Sequence, residues 1–338
     1  MLLIREDIPQ YKANLHCHSI YSDGKLTPEE LKTAYRSHGY DILAITDHEH
    51  PRDHSALSEP DFLLLTGYES YVRPSKTAEY DLYSPEVHLN FFACDPHNTA
   101  LVRFSKPFTK YRREDSDPFL CQRVGTDTPR VYTVEYVNGL IREARENGYL
   151  VSYNHPVWSM EDPRQLFEYE GMFAMEIFNG GSYLLNGMEY NGALYDTLLC
   201  RGKRLGVLAT DDNHNVHPFG HADCDSFRGF TMISAPSLTY ENVISALRRG
   251  DYYASRGPRI KRLSVDGRSV TLECSPASHI YVYTGSKSPK HLHTVRGETL
   301  TRASFEVDRR AKYVRVSVAD AEGNTADTRA YFPDELGW

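Results

Sequence analysis

The sequence has no long hydrophobic run, and none of its apolar stretches approaches the roughly 20 residues that a membrane-spanning helix requires. The mean hydropathy of -0.53 is typical of a chain with a largely polar surface. The opening segment MLLIREDIPQ reaches charged residues too early to resemble a signal peptide. We therefore expect a cytoplasmic protein that does not associate with membranes.

An excess of basic residues is also missing. The 38 lysines and arginines are outnumbered by 46 aspartates and glutamates, which gives a formal net charge of -8. Proteins that bind nucleic acids usually carry a basic face, because they neutralise phosphates. The composition therefore argues against nucleic acid as a partner, except as a short oligonucleotide or nucleotide substrate.

Cysteine is scarce, and the six cysteines form no C-x-x-C pair. Their scatter along the chain fits reduced cytosolic thiols better than a disulfide framework. Cys17 alone lies beside a candidate motif, and we interpret it as a packed neighbour and not as a ligand.

Short apolar segments alternate with helical patterns from about residue 12 to residue 250. Thr27 as N-cap, Pro28 at the first position and Glu30 at the third are typical of a helix start. Further helices are predicted at 133–147, 187–202 and 239–249. This alternation predicts a mainly parallel sheet, open or closed into a barrel. The eight predicted strands are ANLHCHS, DILAITD, FLLLTGYES, VHLNFFACD, YLVSYNHP, FAMEIFN, RLGVLATDD and RGFTMIS.

Two segments depart from this alternation. Residues 95–132 form a long irregular insertion with many basic and aromatic residues, and we expect either a lid over a binding site or a surface excursion. After Gly257, an Asp266-Gly267 turn between alternating strands predicts a small all-β sandwich. We therefore divide the chain into a large α/β domain at 1–256 and a small β-sandwich domain at 257–338.

Histidines and carboxylates cluster at or just past the predicted strand ends. His16 and His18 are two residues apart at the end of the first strand, so their side chains are predicted to share one face. The C-terminal strand ends of a β/α barrel form one rim, where active sites are built. Divalent metals would offset the cost of packing so many polar groups together, and nitrogen and oxygen ligands without thiolate favour zinc, manganese or iron. The candidate metal ligands are His16, His18, Asp23, His48, Glu69, His88, His155, Asp212 and His214.

Other polar residues near these motifs have supporting or competing interpretations. Asp47, Glu176 and Asn179 are candidates for orienting the ligands. His217 and His221 are candidate proton donors to a leaving group, or ordinary loop histidines. The remaining histidine patterns are interpreted as exposed loop residues or chance pairs, and they are His50, His54 and His291-Leu292-His293.

In combination, these motifs resemble those of the PHP (polymerase and histidinol phosphatase) family over about residues 10–256. The resemblance is carried by His16-x-His18, Ser22-Asp23-Gly24, Thr27-Pro28-Glu29-Glu30, Gly39-Tyr40-Asp41, Ile45-Thr46-Asp47-His48, Glu69, Asn154-His155-Pro156 and Asp212-x-His214. It implies a distorted seven-stranded β/α (TIM-like) barrel, to which this chain would add the C-terminal all-β sandwich.

The resemblance also implies how the ligands divide among two or three divalent ions. One ion would take His16, His18, Glu69 and Asp212, a second Asp23, His48 and His214, and a third Glu69, His88 and His155. The sequence around His88 is only loosely like the family pattern, and without this residue the site would hold two ions. Asp23 stands where some relatives have histidine.

The function that the resemblance implies is that of a metal-dependent phosphoesterase, which hydrolyses a small phosphorylated substrate through a metal-bridging hydroxide. Asp212, His214 and His221 are the predicted catalytic residues. Basic residues of the 95–132 insertion, or Arg256, could hold a second anionic group of the substrate. The alternatives are a nuclease or other metallohydrolase acting on an ester or carbamate, and a non-catalytic binding module.

Overall fold

The computed structural model describes residues 1–74, 81–108, 122–125, 129–295 and 297–338. Within these ranges the strands are β1 (Leu2–Ile4), β2 (Gln10–Asn14), β3 (Ile42–Ile45), β4 (Leu63–Val72), β5 (Val87–Ala93), β6 (Leu101–Val102), β7 (Arg123–Val124), β8 (Tyr149–Tyr153), β9 (Ala174–Asn179), β10 (Gly206–Thr210), β11 (Phe230–Ser234), β12 (Tyr252–Ser255), β13 (Ile260–Asp266), β14 (Ser269–Ala277), β15 (His279–Tyr283), β16 (Lys290–His293), β17 (Leu300–Glu306), β18 (Arg315–Ala319) and β19 (Thr325–Thr328). The helices are α1 (Pro28–Ser37), α2 (Val134–Glu146), α3 (Pro163–Glu168), α4 (Gly180–Asn186), α5 (Gly192–Cys200), α6 (Tyr240–Arg249) and α7 (Pro333–Leu336).

Most strands belong to one mixed sheet in the order β10-β9-β8-β5-β4-β3-β2-β11-β12-β19-β18-β15-β16. Strands β2, β3 and β4 are parallel to one another, and so are β8, β9 and β10. Between these two groups, β5 runs antiparallel to both of its neighbours. The predicted α/β fold is present, but the predicted mainly parallel sheet is interrupted at β5 and again at β11, which runs antiparallel to β2 and β12.

The two ends of the α/β part of this sheet approach each other at β10 and β11. The Thr231 hydroxyl in β11 donates to the backbone oxygen of Ala209 at 3.1 Å and accepts from its N–H at 3.2 Å. In the described part of the chain no backbone ladder joins these two strands. The predicted closed barrel is therefore not formed by backbone pairing.

Helix boundaries follow the capping signals of the sequence. Thr27 and Glu30 form the predicted capping box at the start of α1. Thr133 and Thr239 cap α2 and α6 through their side chains. The helix predicted at 187–202 is shorter than expected, because Gly187, with φ of 67°, ends the unpredicted helix α4 and α5 begins only at Gly192.

The strand predicted around ANLHCHS ends earlier than expected, at Asn14. His16 and His18 lie in the segment that follows. Here the backbone N–H of His18 donates to the Asn213 oxygen at 3.0 Å, and the N–H of Asp212 donates to the His16 oxygen at 2.9 Å. The segment that carries His16 and His18 is thus fixed against the one that carries Asp212.

The C-terminal residues are all-β apart from α7, and their strands divide between two sheets. β13, β14 and β17 form a second sheet with the N-terminal strand β1, and the predicted Asp266-Gly267 turn joins β13 to β14. β15, β16, β18 and β19 extend the large sheet through pairing of β19 with β12. Residues of both sheets share one apolar core, which includes Ile4, Leu272 and Val316. The domain boundary at residue 256 stays a prediction.

None of the helices in the described ranges combines the length and the apolar character that a membrane crossing demands.

Candidate metal centre

The candidate ligands converge at one end of the large sheet. His48 follows β3 and forms an isolated bridge with Glu69 in β4. His155 follows β8, and Asp212 follows β10. His88 is the second residue of β5, so it lies at the start of its strand and not at the C-terminal end that the sequence predicts. Because β5 is antiparallel, its first residues reach the same end of the sheet as the last residues of its neighbours.

Glu69 lies at the centre of this arrangement and is 1% exposed. The distances from its carboxylate oxygens to imidazole nitrogens are 3.0 Å for His88, 3.1 Å for His48, and 3.4 Å each for His16, His18 and His155. Asn154 donates an amide hydrogen to the same carboxylate at 2.7 Å. Glu69 therefore contacts candidate ligands of each of the three predicted ions.

Two further carboxylates, those of Asp212 and Asp23, extend the cluster around Glu69. Asp212 Oδ1 lies 3.1 Å from His18 Nε2 and 3.2 Å from His16 Nε2. Asp23 lies 3.4 Å from His214 Nε2 and 3.7 Å from His48 Nε2. The structure thus brings all nine candidate ligands into one continuous cluster.

The donor atoms are spaced as the ligands of shared divalent ions would be. Three sets have their ligand atoms within 4.8 Å of one another, namely His18, Asp23, His48 and His214, then His16, His18 and Glu69, and then His48, Glu69 and His88. Metal–ligand bonds of about 2.1 Å place two ligands of one ion roughly 3.0–3.5 Å apart. The residues therefore fit divalent metal ions, and the assignment of each ligand to a particular ion stays a prediction.

The electrostatics of the cluster favour bound positive charge. Burial would raise the pKa of Glu69, but the surrounding imidazoles, His16 foremost, hold it well below the usual value. Burial likewise opposes protonation of His18 and His88, yet the neighbouring carboxylates outweigh it and raise the pKa of His18 to about 10 and that of His88 to about 9. Metal ions would take the place of these protons.

Glu176 orients two of the histidines, as the sequence predicts. Its carboxylate lies 2.8 Å from His16 Nδ1 and accepts the backbone N–H of His155 at 2.8 Å. The Thr210 hydroxyl and the Asn179 amide also donate to it, at 2.7 and 2.8 Å. A carboxylate on the far nitrogen of a ligating imidazole fixes the ring and makes it more basic. Glu176 thus directs His16 Nε2 toward Glu69 and Asp212.

Asp47 has a similar supporting position behind His18. It accepts hydrogen bonds from the hydroxyls of Ser19 and Ser22 at 2.6 and 2.7 Å. The Ser22 hydroxyl in turn lies 3.3 Å from His18 Nδ1. The turn that carries Asp23 is therefore tied to the loop that carries His48.

The backbone is strained at two of the candidate ligands. His155 has a φ of 25° and Asp212 a φ of 52°, which residues other than glycine seldom adopt. Each such conformation costs about 1–3 kcal/mol and persists only where neighbouring contacts enforce it. For Asp212 one such contact is its hydrogen bond to the His16 oxygen, and for His155 it is the hydrogen bond to Glu176.

A cavity of about 630 Å³ opens beside the cluster. Of the two predicted proton donors, His217 lines the cavity, whereas His221 stacks behind it at a ring distance of 4.6 Å. His221, a predicted catalytic residue, is absent from the described lining of the cavity. The lining residues that the sequence did not single out are Tyr71, Arg73, Glu86, Trp158, Gly181, Ser182, Leu184, Leu185, Val216, Asp223 and Asp225.

Those basic residues predicted to hold a second anion whose side chains are described lie away from the cavity. Arg103 pairs with Glu143 at 2.6 Å, and Arg256 lies against the Phe178 ring at 4.3 Å. Arg103, Arg123, Arg130 and Arg256 do not line the described cavity. Lys110, Arg112, Arg113 and the side chain of Lys106 lie outside the described part of the structure.

His50 and His54 were expected to be exposed, and this expectation is wrong. Both are buried, with 3% and 7% of their surfaces exposed, and both lie near the Tyr21 ring. The His291-Leu292-His293 pattern lies on the exposed strand β16, distant in the fold from Glu69. Trp158 had a signal in the sequence, because it follows the Asn154-His155-Pro156 motif by two residues.

No protein-family model and no curated protein sequence matches the chain. Solved structures similar to it are named as metal-dependent phosphoesterases. A two-domain protein from Bacteroides vulgatus, named as containing a "predicted PHP-like metal-dependent phosphoesterase", is 16% identical with a TM-score of 0.42 and covers 97% of each chain. A protein from Bifidobacterium adolescentis, named as a metal-dependent phosphoesterase in the same provisional sense, is 20% identical with a TM-score of 0.41 over 64% of this chain and 93% of its own.

A third similar structure is named as an amidohydrolase from Chromobacterium violaceum with bound sulfate and no metal. It is 17% identical with a TM-score of 0.38 and covers 60% of this chain and 87% of its own. The names of the first two proteins, but not of the third, mention a metal-dependent phosphoesterase.

Proposed function

We propose that the chain is a metal-dependent phosphoesterase that hydrolyses a small phosphorylated substrate at this centre. The position of Glu69 supports the proposal most, since one buried carboxylate lies within 3.4 Å of five imidazole rings. A carboxylate so placed is suited to bridge ions. Divalent ions a few ångströms apart suit the hydrolysis of a phosphate ester.

The proposed ligand sets are those that the family resemblance implies. His16, His18, Glu69 and Asp212 would hold one ion, Asp23, His48 and His214 a second, and Glu69, His88 and His155 a third. Two or three ions of zinc, manganese or iron would occupy them. When bound, such ions lower the pKa of water and neutralise charge on phosphoryl oxygens.

In the proposed reaction the oxygen of a water molecule forms a bond to phosphorus and the P–O ester bond breaks. The released alcohol oxygen takes up a proton, and inorganic phosphate is the second product. His217 lines the cavity and is better placed than His221 to give that proton. We further propose a cytoplasmic location, which agrees with the scatter of the six cysteines along the sequence.

The test is reconstitution of the chelator-treated protein with manganese, zinc or ferrous iron. Elemental analysis counts the bound ions, and release of inorganic phosphate is measured with a panel of monoesters. We expect two or three ions per chain and turnover only in their presence. Bound metal without turnover of any monoester would contradict the proposal, as would faster cleavage of single-stranded DNA or of a carboxylic ester.

A further inference from the structure

The cavity beside the metal centre is rich in acidic residues. Six carboxylates belong to its described lining, and they are Asp23, Glu69, Glu86, Asp212, Asp223 and Asp225. Among the described lining residues, Arg73 is the one arginine or lysine. Bound metal ions would offset the carboxylates at the centre, but not Asp223 or Asp225.

The charge of Arg73 is already matched. Its guanidinium lies 2.5 Å from Glu86, and both side chains are buried, at 5% and 7% exposure. The other oxygen of Glu86 lies 3.5 Å from His88 Nε2, which ties the ion pair to the metal centre. A second anionic group on a substrate would therefore meet an arginine already paired with Glu86, together with Asp223 and Asp225, whose negative charges would repel it.

The cavity also has an apolar side. It is formed by Trp158, Leu184, Leu185 and Val216. Leu185 is 78% exposed and Val216 is 64% exposed, although both are apolar and both face the cavity. Exposed apolar residues grouped beside a site typically mark a surface that a ligand covers.

This apolar side adjoins the centre through Trp158. The indole ring lies edge-on to His155 at 4.8 Å and to His88 at 5.2 Å. The backbone N–H groups of Val157 and Trp158 donate to the buried Glu189 carboxylate at 3.0 and 2.8 Å. The indole is thus held in place before a ligand arrives, which lowers the entropy lost on binding.

We propose that the site selects monoesters that carry a single phosphoryl group and an uncharged, largely apolar leaving group. The phosphoryl group lies at the metal centre, and the leaving group lies along Trp158, Leu185 and Val216. This inference rests on the proposed function and names its substrate class. It is an alternative to the prediction that basic residues of the 95–132 insertion, or Arg256, hold a second anion of the substrate.

The test compares three primary alkyl esters, so that the chemistry of the leaving oxygen stays similar. They are phenethyl phosphate, a hexose monophosphate and a hexose bisphosphate, each assayed with the manganese-reconstituted protein. Because burial of an aromatic ring excludes apolar surface from water, we expect kcat/KM for phenethyl phosphate to exceed that for the hexose monophosphate by about ten-fold or more. The bisphosphate should be the poorest of the three.

Variants of the exposed apolar side chains locate the selectivity. Leu185→Asn and Val216→Asn should each raise KM for phenethyl phosphate about three- to ten-fold, a larger increase than for the hexose monophosphate. Met188→Asn is the matched control, because Met188 is 63% exposed and is absent from the described cavity lining. It should behave as the unsubstituted protein does.

The experiments distinguish failure of the substrate inference from failure of the proposed function. Higher kcat/KM for the bisphosphate, or Leu185→Asn and Val216→Asn proteins with unchanged preference, would overturn the inference while the phosphoesterase activity stands. No metal-dependent phosphate release from any of the three esters or the wider panel would overturn the proposed function itself, and the inference with it.

Discussion

A carboxylate removed from water is costly unless cations or hydrogen-bond donors surround it. Glu69 is 1% exposed and has one amide donor, Asn154, and five imidazoles around it. Neutral imidazoles alone would compensate this charge only in part. At the scale of a single residue, the cluster around Glu69 therefore requires protons or metal ions to be stable.

Replacing Glu69 by glutamine tests this requirement. Glu69→Gln keeps the shape and removes the charge that would bridge two ions, so we expect the bound metal to fall by at least one ion per chain. Phosphate release should drop more than about 100-fold. Elemental analysis and the monoester assay check both. Glu168→Gln, at an exposed position, should change neither. Full metal content in Glu69→Gln would contradict the bridging role.

Replacing Glu176 tests whether a carboxylate hydrogen-bonded to the ligand His16 strengthens metal binding. Because its carboxylate lies 2.8 Å from His16 Nδ1, Glu176→Gln should leave the ligands present but weaken metal binding by about 10- to 100-fold. The metal dissociation constant, measured in competition with a chromogenic chelator, is the readout. Glu170→Gln, at an exposed position, is the control. Unchanged affinity in Glu176→Gln would show that Glu176 only fills space.

At the scale of elements, the sequence predicted the site better than the direction of the strands. Capping residues such as Thr27 and strand-end motifs such as Asn154-His155-Pro156 are local signals, and local physics decides them. Whether β5 runs parallel or antiparallel depends on which strands lie beside it, and no local pattern encodes that. The sequence therefore grouped His88 with the other candidate ligands, but it predicted the wrong end of the strand for this residue.

The apolar side of the cavity escaped prediction for a related reason. Leu185 and Val216 are ordinary apolar residues in sequence, and their exposure arises only from the path of α4 and of the loop after β10. Arg73 and Glu86 lie 13 positions apart and meet only because β4 and β5 are adjacent. Pairings of this kind become visible only once the chain is folded.

Glu161 joins several elements through one carboxylate. Tyr153 in β8, Tyr169 after α3 and Tyr132 before α2 all donate their hydroxyls to it, at 2.5, 2.7 and 2.8 Å. Burial nevertheless raises the pKa of Glu161, and the three hydroxyls offset this only in part. The neutral acid is therefore favoured in the folded protein more than in the unfolded chain.

This shift predicts a pH dependence of stability. The contribution of Glu161 is fully present below the unfolded pKa of about 4.3 and is lost as the pH rises through the raised folded value. The stability difference between the unsubstituted protein and Glu161→Gln should therefore fall as the pH rises above about 4. Urea unfolding of chelator-treated protein at several pH values measures it, with Glu170→Gln as control. A difference that grows with pH would contradict the shift.

At the scale of the whole molecule, one buried arginine links the C-terminal strands to the α/β part. Arg315 in β18 is paired with Asp196 of α5 and, at 3.2 Å, with Asp327 of β19. Tyr190, which precedes α5, also donates to Asp327, at 3.0 Å. Ion pairs of the buried Arg315 therefore connect residues on both sides of the boundary predicted at residue 256. Composition and turn signals could not reveal these contacts.

Removing this arginine should destabilise both parts together. Arg315→Ala leaves Asp327, whose side chain is 2% exposed, without its cation, so we expect a loss of about 3 kcal/mol in a single unfolding transition. Thermal and urea unfolding measure it. Arg310→Ala is the matched control, because Arg310 pairs with Asp308 at an 89% exposed position, and it should be silent. Two separate transitions in the unsubstituted protein would contradict the link.

The antiparallel direction of β5 also brings both ends of the β4–β5 connection to the cavity. Because β5 begins beside the metal centre, the connection from β4 to β5 starts at Arg73 and ends at Glu86, and both residues line the cavity. Selection for an altered substrate preference should therefore change residues next to these two anchors while leaving every strand in register.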